Sequence, residues 1–116
     1  MSLGLDVVGI ERFRDLLQRS PGFDRRFFTP TELAHCAAAK DRALHLAGTF
    51  AAKEAVMKAL RLTPAVAWAR RIEITRASDG MPVARFGNVQ VEVSISHDAG
   101  VALAVATSNT VGTCKN

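Results

Sequence analysis

Three short polar motifs, far apart in the chain, hold the residue types that handle charge. They are Asp6 in Gly4-Leu5-Asp6-Val7-Val8, the run Lys53-Glu54-Ala55-Val56-Met57-Lys58, and Ser94-Ile95-Ser96-His97. Each sets ionisable groups inside an otherwise apolar stretch, where an ionised side chain is costly unless a partner or a bound ion offsets it. Two acids, two lysines and a histidine so placed suggest a cation holding a polyphosphate.

The elements that must position these residues follow from periodicity. Leu3, Leu5 and Val7 alternate with Gly4, Asp6 and Val8, which predicts a short strand with Asp6 on the face opposite Leu5 and Val7. From Gly9 to Gln18, the residues Ile10, Phe13, Leu16 and Leu17 fall at helical spacing, and Arg19-Ser20-Pro21-Gly22 breaks the pattern. Thr29-Pro30-Thr31-Glu32 places a Thr N-cap, a Pro at the first helical position and a Glu at the third, so the next helix starts at Pro30. A third and longer helix is predicted from about Asp41 to Arg61, before Thr63-Pro64.

On that third helix Ala47, Ala51, Ala55 and Ala59 form a slowly drifting stripe of small side chains, which permits close approach of another backbone. Glu54 and Lys58 project within the same sector, toward the packed side or its margin. Taken alone, a Glu–Lys pair four residues apart is also a common exposed contact, worth about 0.2–0.5 kcal/mol.

After Trp68 the period changes to two. Ile72 and Ile74 begin a strand, Ser78-Asp79-Gly80-Met81-Pro82 turns the chain, and Val83 to Phe86 returns beside it. Val89, Val91, Val93 and Ile95 then alternate with Gln90, Glu92, Ser94 and Ser96, and Asp98-Ala99-Gly100 turns tightly into Val101 to Thr107. The expected product is an α+β fold, an antiparallel sheet packed against a long helix and shorter helices, in one domain over residues 1–116.

Composition narrows the partners. The hydrophobic fraction is 48%, but much of it is alanine and the aromatic mass is Trp68 with six phenylalanines, which leaves subunit association as a source of further burial. Net charge is +4, and the excess gathers at Arg12, Arg14, Arg19, Arg25 and Arg26 and again at Arg70, Arg71 and Arg76. A basic surface recruits an anionic partner, although part of it is ordinary solvated arginine. No aromatic interleaving or recognition-helix signature favours nucleic acid. Cys36 and Cys114 are too few for a disulfide framework or a zinc site. Neither a signal-peptide pattern nor a membrane-length apolar run is found, so a soluble cytoplasmic protein is expected, with no membrane partner.

In order and spacing, these motifs resemble the holo-acyl-carrier-protein synthase family, the small bacterial type of 4'-phosphopantetheinyl transferase. The resemblance covers Gly4-Leu5-Asp6-Val7-Val8-Gly9-Ile10-Glu11-Arg12, Phe28-Thr29-Pro30-Thr31-Glu32-Leu33, the stretch from Ala47 to Ala59, and Val93-Ser94-Ile95-Ser96-His97. It implies transfer of the phosphopantetheine arm of coenzyme A to a serine of an acyl carrier protein, releasing 3',5'-ADP, in support of fatty-acid or polyketide synthesis. Asp6 and Glu54 fall on the family's metal-binding acids and would hold Mg²⁺ with diphosphate oxygens and water. Lys58 would contact a phosphate and stabilise the leaving group, and either Glu54 or a metal-held water would accept the serine proton.

His97, which alone reads as a surface or capping residue, would then hydrogen-bond a coenzyme A phosphate. Lys53 would reach the nucleotide phosphates or face solvent, and Lys40 and Arg42 align with basic positions at the nucleotide end. An acidic carrier protein would dock on Arg12, Arg19 and Arg26 around Phe23, with Arg14 and Arg25 adding to the surface. The family's homotrimer, with sites between subunits, implies Asp6 facing Glu54 of an adjacent chain. Two departures stand out. Thr49 occupies a position that is often basic in relatives, so a nucleotide contact is missing or replaced, and the segment from Phe86 to Gln90 is short. Two other readings use the same residues: a regulatory module that binds coenzyme A without transfer, and a basic adaptor in which Glu54 and Lys58 form only a salt bridge.

Overall fold

The computed structural model describes residues 1–109, so Cys114 lies outside the described residues. Strand β1 (Ser2–Gly9) leads into helices α1 (Ile10–Arg19), α2 (Phe23–Phe27), α3 (Pro30–Ala37) and α4 (Arg42–Leu60). A short helix α5 (Ala65–Trp68) and a 3-10 turn (Ala69–Arg71) then precede β2 (Ile72–Arg76), β3 (Pro82–Phe86), β4 (Val89–Asp98) and β5 (Val101–Ser108). The strands make one antiparallel sheet in the order β1-β5-β4-β3-β2, with the helices on one face. This is the expected α+β architecture.

The helix ends form where local chemistry supplies partners. Thr29 and Glu32 make a reciprocal capping box on α3: Thr29 Oγ1 accepts from the Glu32 amide at 3.2 Å, and Glu32 Oε1 accepts from the Thr29 amide at 2.9 Å. Asp41 caps α4 by accepting from the Leu44 amide, and Arg61 closes that helix in the left-handed conformation. The β4–β5 hairpin turns through Ala99 and Gly100, both at positive φ as a two-residue antiparallel turn requires. Two elements that the periodicity did not reveal are α2 and the α5 turn, each five residues or fewer and without a side-chain cap.

The alanine stripe of α4 does bring another backbone close, and that backbone is the chain's own sheet. Ala47, Ala51, Ala55 and Ala59 have no solvent exposure, and they pack under Gly4 of β1 and the buried Ala102, Ala104 and Ala106 of β5. A Cβ built on Gly4 would run into the carbonyl oxygen of Ala55 and lie 2.8 Å from the Ala59 nitrogen. Register sets Gly4 opposite Ala106 and Asp6 opposite Ala104, so Asp6 shares this helix-facing side. The large residues go the other way. Leu3, Leu5, Val7, Val101, Leu103 and Val105 are 38–66% exposed on the outer face of the sheet.

At the far side of the sheet, β2 is an edge strand with two backbone groups held by side chains. The Ile74 amide donates to Glu32 Oε2 at 2.7 Å, and Lys53 Nζ donates to the Ile72 carbonyl at 2.8 Å. Lys53 and Glu32 are themselves a buried ion pair at 2.6 Å, with side chains no more than 1% exposed. They serve the β2 edge as a further strand would, and close it to other chains. Phe13, Phe23, Phe27, Phe28 and Phe50 pack beside them with centroids 4.7–6.5 Å apart, joining α1, α2 and α4. Among the described residues, no helix is long and apolar enough to cross a membrane.

Candidate active site

Asp6 reaches the site because β1 lies so close to α4, and Glu54 reaches it from the margin of the alanine stripe. Both line one cleft of about 520 Å³, together with Val8, Phe13, Leu16 and Phe50 on its apolar side and Arg12, Asp15 and Arg19 along α1. The two carboxylates therefore converge within a single chain. This corrects the expectation that Asp6 faces Glu54 of a neighbouring subunit: the Gly4 contact with Ala55 places both on the same wall.

Lys58, one turn beyond Glu54, donates to the Leu5 carbonyl at 2.8 Å and to Asp6 Oδ1 at 3.2 Å. The Glu54 carboxyl is pushed above its ordinary value, first by burial and then by the negative charge of Asp6, with Lys58 opposing both. Two partly buried acids that repel each other are a donor pair suited to a divalent cation. No cluster of three or more His, Cys, Asp or Glu that could hold a metal occurs among the described residues. A pair of carboxylates fits Mg²⁺, which keeps waters and phosphate oxygens in its shell rather than a full protein cage.

Lys53 requires a second correction. It neither faces solvent nor reaches toward ligand: its side chain is fully buried between Glu32, the Ile72 carbonyl and the rings of Phe27 and Phe28. The 100° turn per residue that separates Lys53 from Glu54 carries Lys53 away from the cleft, to the side of α4 that faces α3 and β2. Arg42 is turned to Asp24 on α2, at 2.6 Å, and Lys40 is exposed in the α3–α4 connection.

The arginines of α1 and α2 divide into engaged and unengaged groups. Arg14 donates to Asp41 at 3.0 Å and to Glu11 at 3.2 Å, and Arg19 pairs with Asp15 at 3.0 Å. Arg12, Arg25 and Arg26 form no ion pair among the described residues and are exposed. Phe23 is half-buried in the phenylalanine cluster.

His97 lies elsewhere. It lines a smaller cavity of about 210 Å³ with Leu44, His45, Gly48, Arg76 and Ile95, and this cavity shares no residue with the Asp6–Glu54 cleft. His45 and Arg76 were not legible as site residues, because they come from α4 and the end of β2 and only the sheet topology joins them. Thr49 is buried and donates inward to the His45 carbonyl at 2.9 Å, so it gives that cavity neither charge nor donor. The short 86–90 segment is a two-residue turn, with Phe86 paired directly to Val89.

Residues 2–106 match the family model described as the 4'-phosphopantetheinyl transferase superfamily. The chain belongs to this superfamily. Among curated relatives, a holo-[acyl-carrier-protein] synthase of Anaeromyxobacter sp. (strain K) is 38% identical over 118 residues, covering 90% of this chain and 91% of the relative. One from Frankia casuarinae is 36% identical, with 95% and 98% covered. The fold agrees with the Helicobacter pylori holo-[acyl-carrier-protein] synthase solved in complex with coenzyme A, at a TM-score of 0.78 and 31% identity, covering 90% of this chain and 97% of that one. It agrees likewise with the Chronobacterium ammoniagenes enzyme–coenzyme A complex, at a TM-score of 0.79 and 28% identity, with 90% and 93% covered.

Proposed function

We propose that this protein transfers the 4'-phosphopantetheine arm of coenzyme A to a serine hydroxyl of an apo-acyl carrier protein, releasing 3',5'-ADP, in a Mg²⁺-dependent reaction that serves fatty-acid or polyketide synthesis. The observation that carries this reading is the convergence of Asp6 and Glu54 on one cleft whose other side holds Arg12 and Arg19, with Lys58 hydrogen-bonded to Asp6. Relatives that match this chain nearly end to end are holo-acyl-carrier-protein synthases.

In the reaction, the serine oxygen forms a bond to the phosphorus bearing pantetheine, and the bond from that phosphorus to the bridging oxygen breaks. The serine proton must leave and negative charge must gather on the departing phosphate. Lys58, half-exposed and already beside Asp6, is placed to contact that phosphate and stabilise or protonate it. Glu54 is a stronger base than an exposed glutamate, and it or a water it orients accepts the serine proton. Asp6 and Glu54 would hold Mg²⁺, which supplies neutralisation of the diphosphate charge. The carrier's acidic surface would meet Arg12, Arg19 and Arg26 at α1 and α2, around Phe23.

The proposal includes a homotrimer. Six large aliphatic side chains exposed together on β1 and β5 support association through the outer sheet face. Light scattering that found only monomer at micromolar concentration would remove this part of the proposal.

The test of the reaction is intact-mass spectrometry of an apo-acyl carrier protein incubated with this protein, coenzyme A and Mg²⁺, beside an EDTA control. A gain of one phosphopantetheine arm, absent with EDTA and abolished by Asp6→Ala or Glu54→Ala, is expected. Near-normal transfer by both variants would overturn the assigned site. No gain on any carrier, with coenzyme A still bound, would favour a regulatory module.

A further inference from the structure

The fold divides the second basic cluster of the sequence. Arg76 goes to the cavity beside His97, whereas Arg70 and Arg71 stay on the 3-10 turn between α5 and β2. Both are exposed, and neither forms an ion pair among the described residues. The acids of the neighbouring elements are engaged elsewhere. Asp24 of α2 holds Arg42 at 2.6 Å, and Glu73 of β2 accepts from Thr29 Oγ1 at 2.7 Å. Two permanent positive charges are thus presented to solvent without a carboxylate to offset them.

Arg71 is also held in position. Its guanidinium lies over the Trp68 ring, 5.0 Å from the centroid. The indole is fixed in turn, because Nε1 donates to the Thr63 carbonyl at 3.2 Å and the ring meets Phe86 edge-on at 5.8 Å between centroids. A guanidinium stacked on a ring has less freedom to lose on binding and keeps its in-plane N–H donors for a carboxylate. Arginine beside tryptophan is the composition of a protein contact rather than of idle surface. The turn packs against α2, which carries Arg25 and Arg26, likewise without acidic partners among the described residues. The basic surface of α1 and α2 therefore continues onto a turn that comes much later in the chain.

We infer that Arg70 and Arg71, with Trp68 supporting Arg71, form a second docking point for the acidic carrier protein, one that takes carboxylates on a part of the carrier away from its modified serine. The inference rests on the transferase reading above. Neither arginine lines the Asp6–Glu54 cleft or the His97 cavity, so the contact acts on carrier affinity and encounter rather than on coenzyme A or the chemical step.

Trp68 is the one tryptophan of the chain, so its emission reports this surface alone. The experiment is titration of the intact protein with a tryptophan-free apo-acyl carrier protein, read by Trp68 emission and by calorimetry, for the wild type, Arg70→Gln and Arg70→Gln with Arg71→Gln. Wild-type emission should change as carrier is added. The double variant should bind carrier about three- to tenfold more weakly at low ionic strength, the scale of two exposed charge pairs, and the loss should shrink as salt is added. Arg70→Gln, which leaves the Trp68 stack in place, should show a smaller part of the loss, and coenzyme A affinity should be the same in all three. Unchanged carrier affinity in the double variant, a parallel loss of coenzyme A affinity, or wild-type emission indifferent to saturating carrier would overturn the docking point. Duplex DNA that bound more tightly than the carrier, with the same dependence on these arginines, would overturn its assignment to a carrier protein. A carrier that binds through these arginines and is not modified would instead remove the transferase reading and leave the docking point standing.

Discussion

Lys53 stands beside a catalytic candidate and yet belongs to the fold, and Lys53→Met separates the two roles. The substitution keeps the length of the aliphatic stem and deletes an ammonium that is 2.6 Å from Glu32 and 2.8 Å from the Ile72 carbonyl. Glu32 would keep its hydrogen bonds from the Thr29 and Ile74 amides but would lose the cation paired with it in a site that is 2% exposed. Removing one partner of a buried ion pair costs about 3–5 kcal/mol. A chain of this size is stable by roughly 6–17 kcal/mol in all, so the variant should fold but marginally. At about 4 °C per kcal/mol, its melting temperature should fall by about 12–20 °C.

Urea and thermal denaturation would read that loss. A double-mutant cycle with Glu32→Gln should be non-additive by about 0.5–3 kcal/mol, because both single changes break the same contact. Well below the variant's transition, coenzyme A affinity should match the wild type. A melting temperature within about 4 °C of wild type, or an intact fold with lost coenzyme A affinity, would show that the ammonium faces ligand rather than the β2 edge.

Three further outcomes follow from the same geometry. Because burial and Asp6 raise the Glu54 carboxyl above its ordinary 4.5, its contribution to stability is full below the unfolded-state value and is lost as pH rises through the folded-state value. Glu54→Gln should therefore melt above wild type at neutral pH, with the gap closing on acidification, while transfer drops by about two orders of magnitude or more; a lower melting temperature at neutral pH would contradict this. Gly4→Ala should cost about 1–3 kcal/mol or more and depress transfer together with it, since the new methyl meets the Ala55 carbonyl and must lift Asp6 with β1; unchanged melting would disprove the close approach. Arg12→Ala with Arg19→Ala should raise the KM for carrier protein, most at low salt, and leave the KM for coenzyme A alone; steady-state kinetics with an unchanged carrier KM would discard the docking surface.

Much of this molecule was legible because its boundaries are set by local chemistry. The capping box at Thr29 and Glu32 marks the start of α3 without reference to the rest of the chain, and α4 begins and ends within a residue of its expected bounds. The β4–β5 turn at Ala99 and Gly100 was likewise set by neighbours in sequence. What was hidden depends on contacts across the fold. Lys53 finds Glu32 21 residues away in sequence, and no periodicity on α4 distinguishes a lysine with such a partner from one in water. Arg76 and His45 meet only because β2 and β4 flank the same end of α4. The α2 helix is five residues opening on a left-handed Gly22, too short for a period to register.

The strands of β1 and β5 carry the most instructive ambiguity. Alternation fixes that Leu5 and Asp6 point to opposite faces, but not which face is interior, and the usual preference for burying leucine would choose wrongly. The size of the residues on α4 decides it. A helix with alanine at four successive turns can approach a strand only where the strand offers glycine or alanine, and Gly4, Ala102, Ala104 and Ala106 meet that condition whereas Leu3, Leu5 and Leu103 do not. The tight seam that results is what draws Asp6 to the wall that holds Glu54. The same seam forces six large aliphatic residues onto the outer face, where nothing among the described residues covers them. Carboxylate placement and the exposed apolar face are thus two consequences of one packing choice. On this argument, enlarging the α4 stripe with Ala55→Val should disturb transfer and subunit association together.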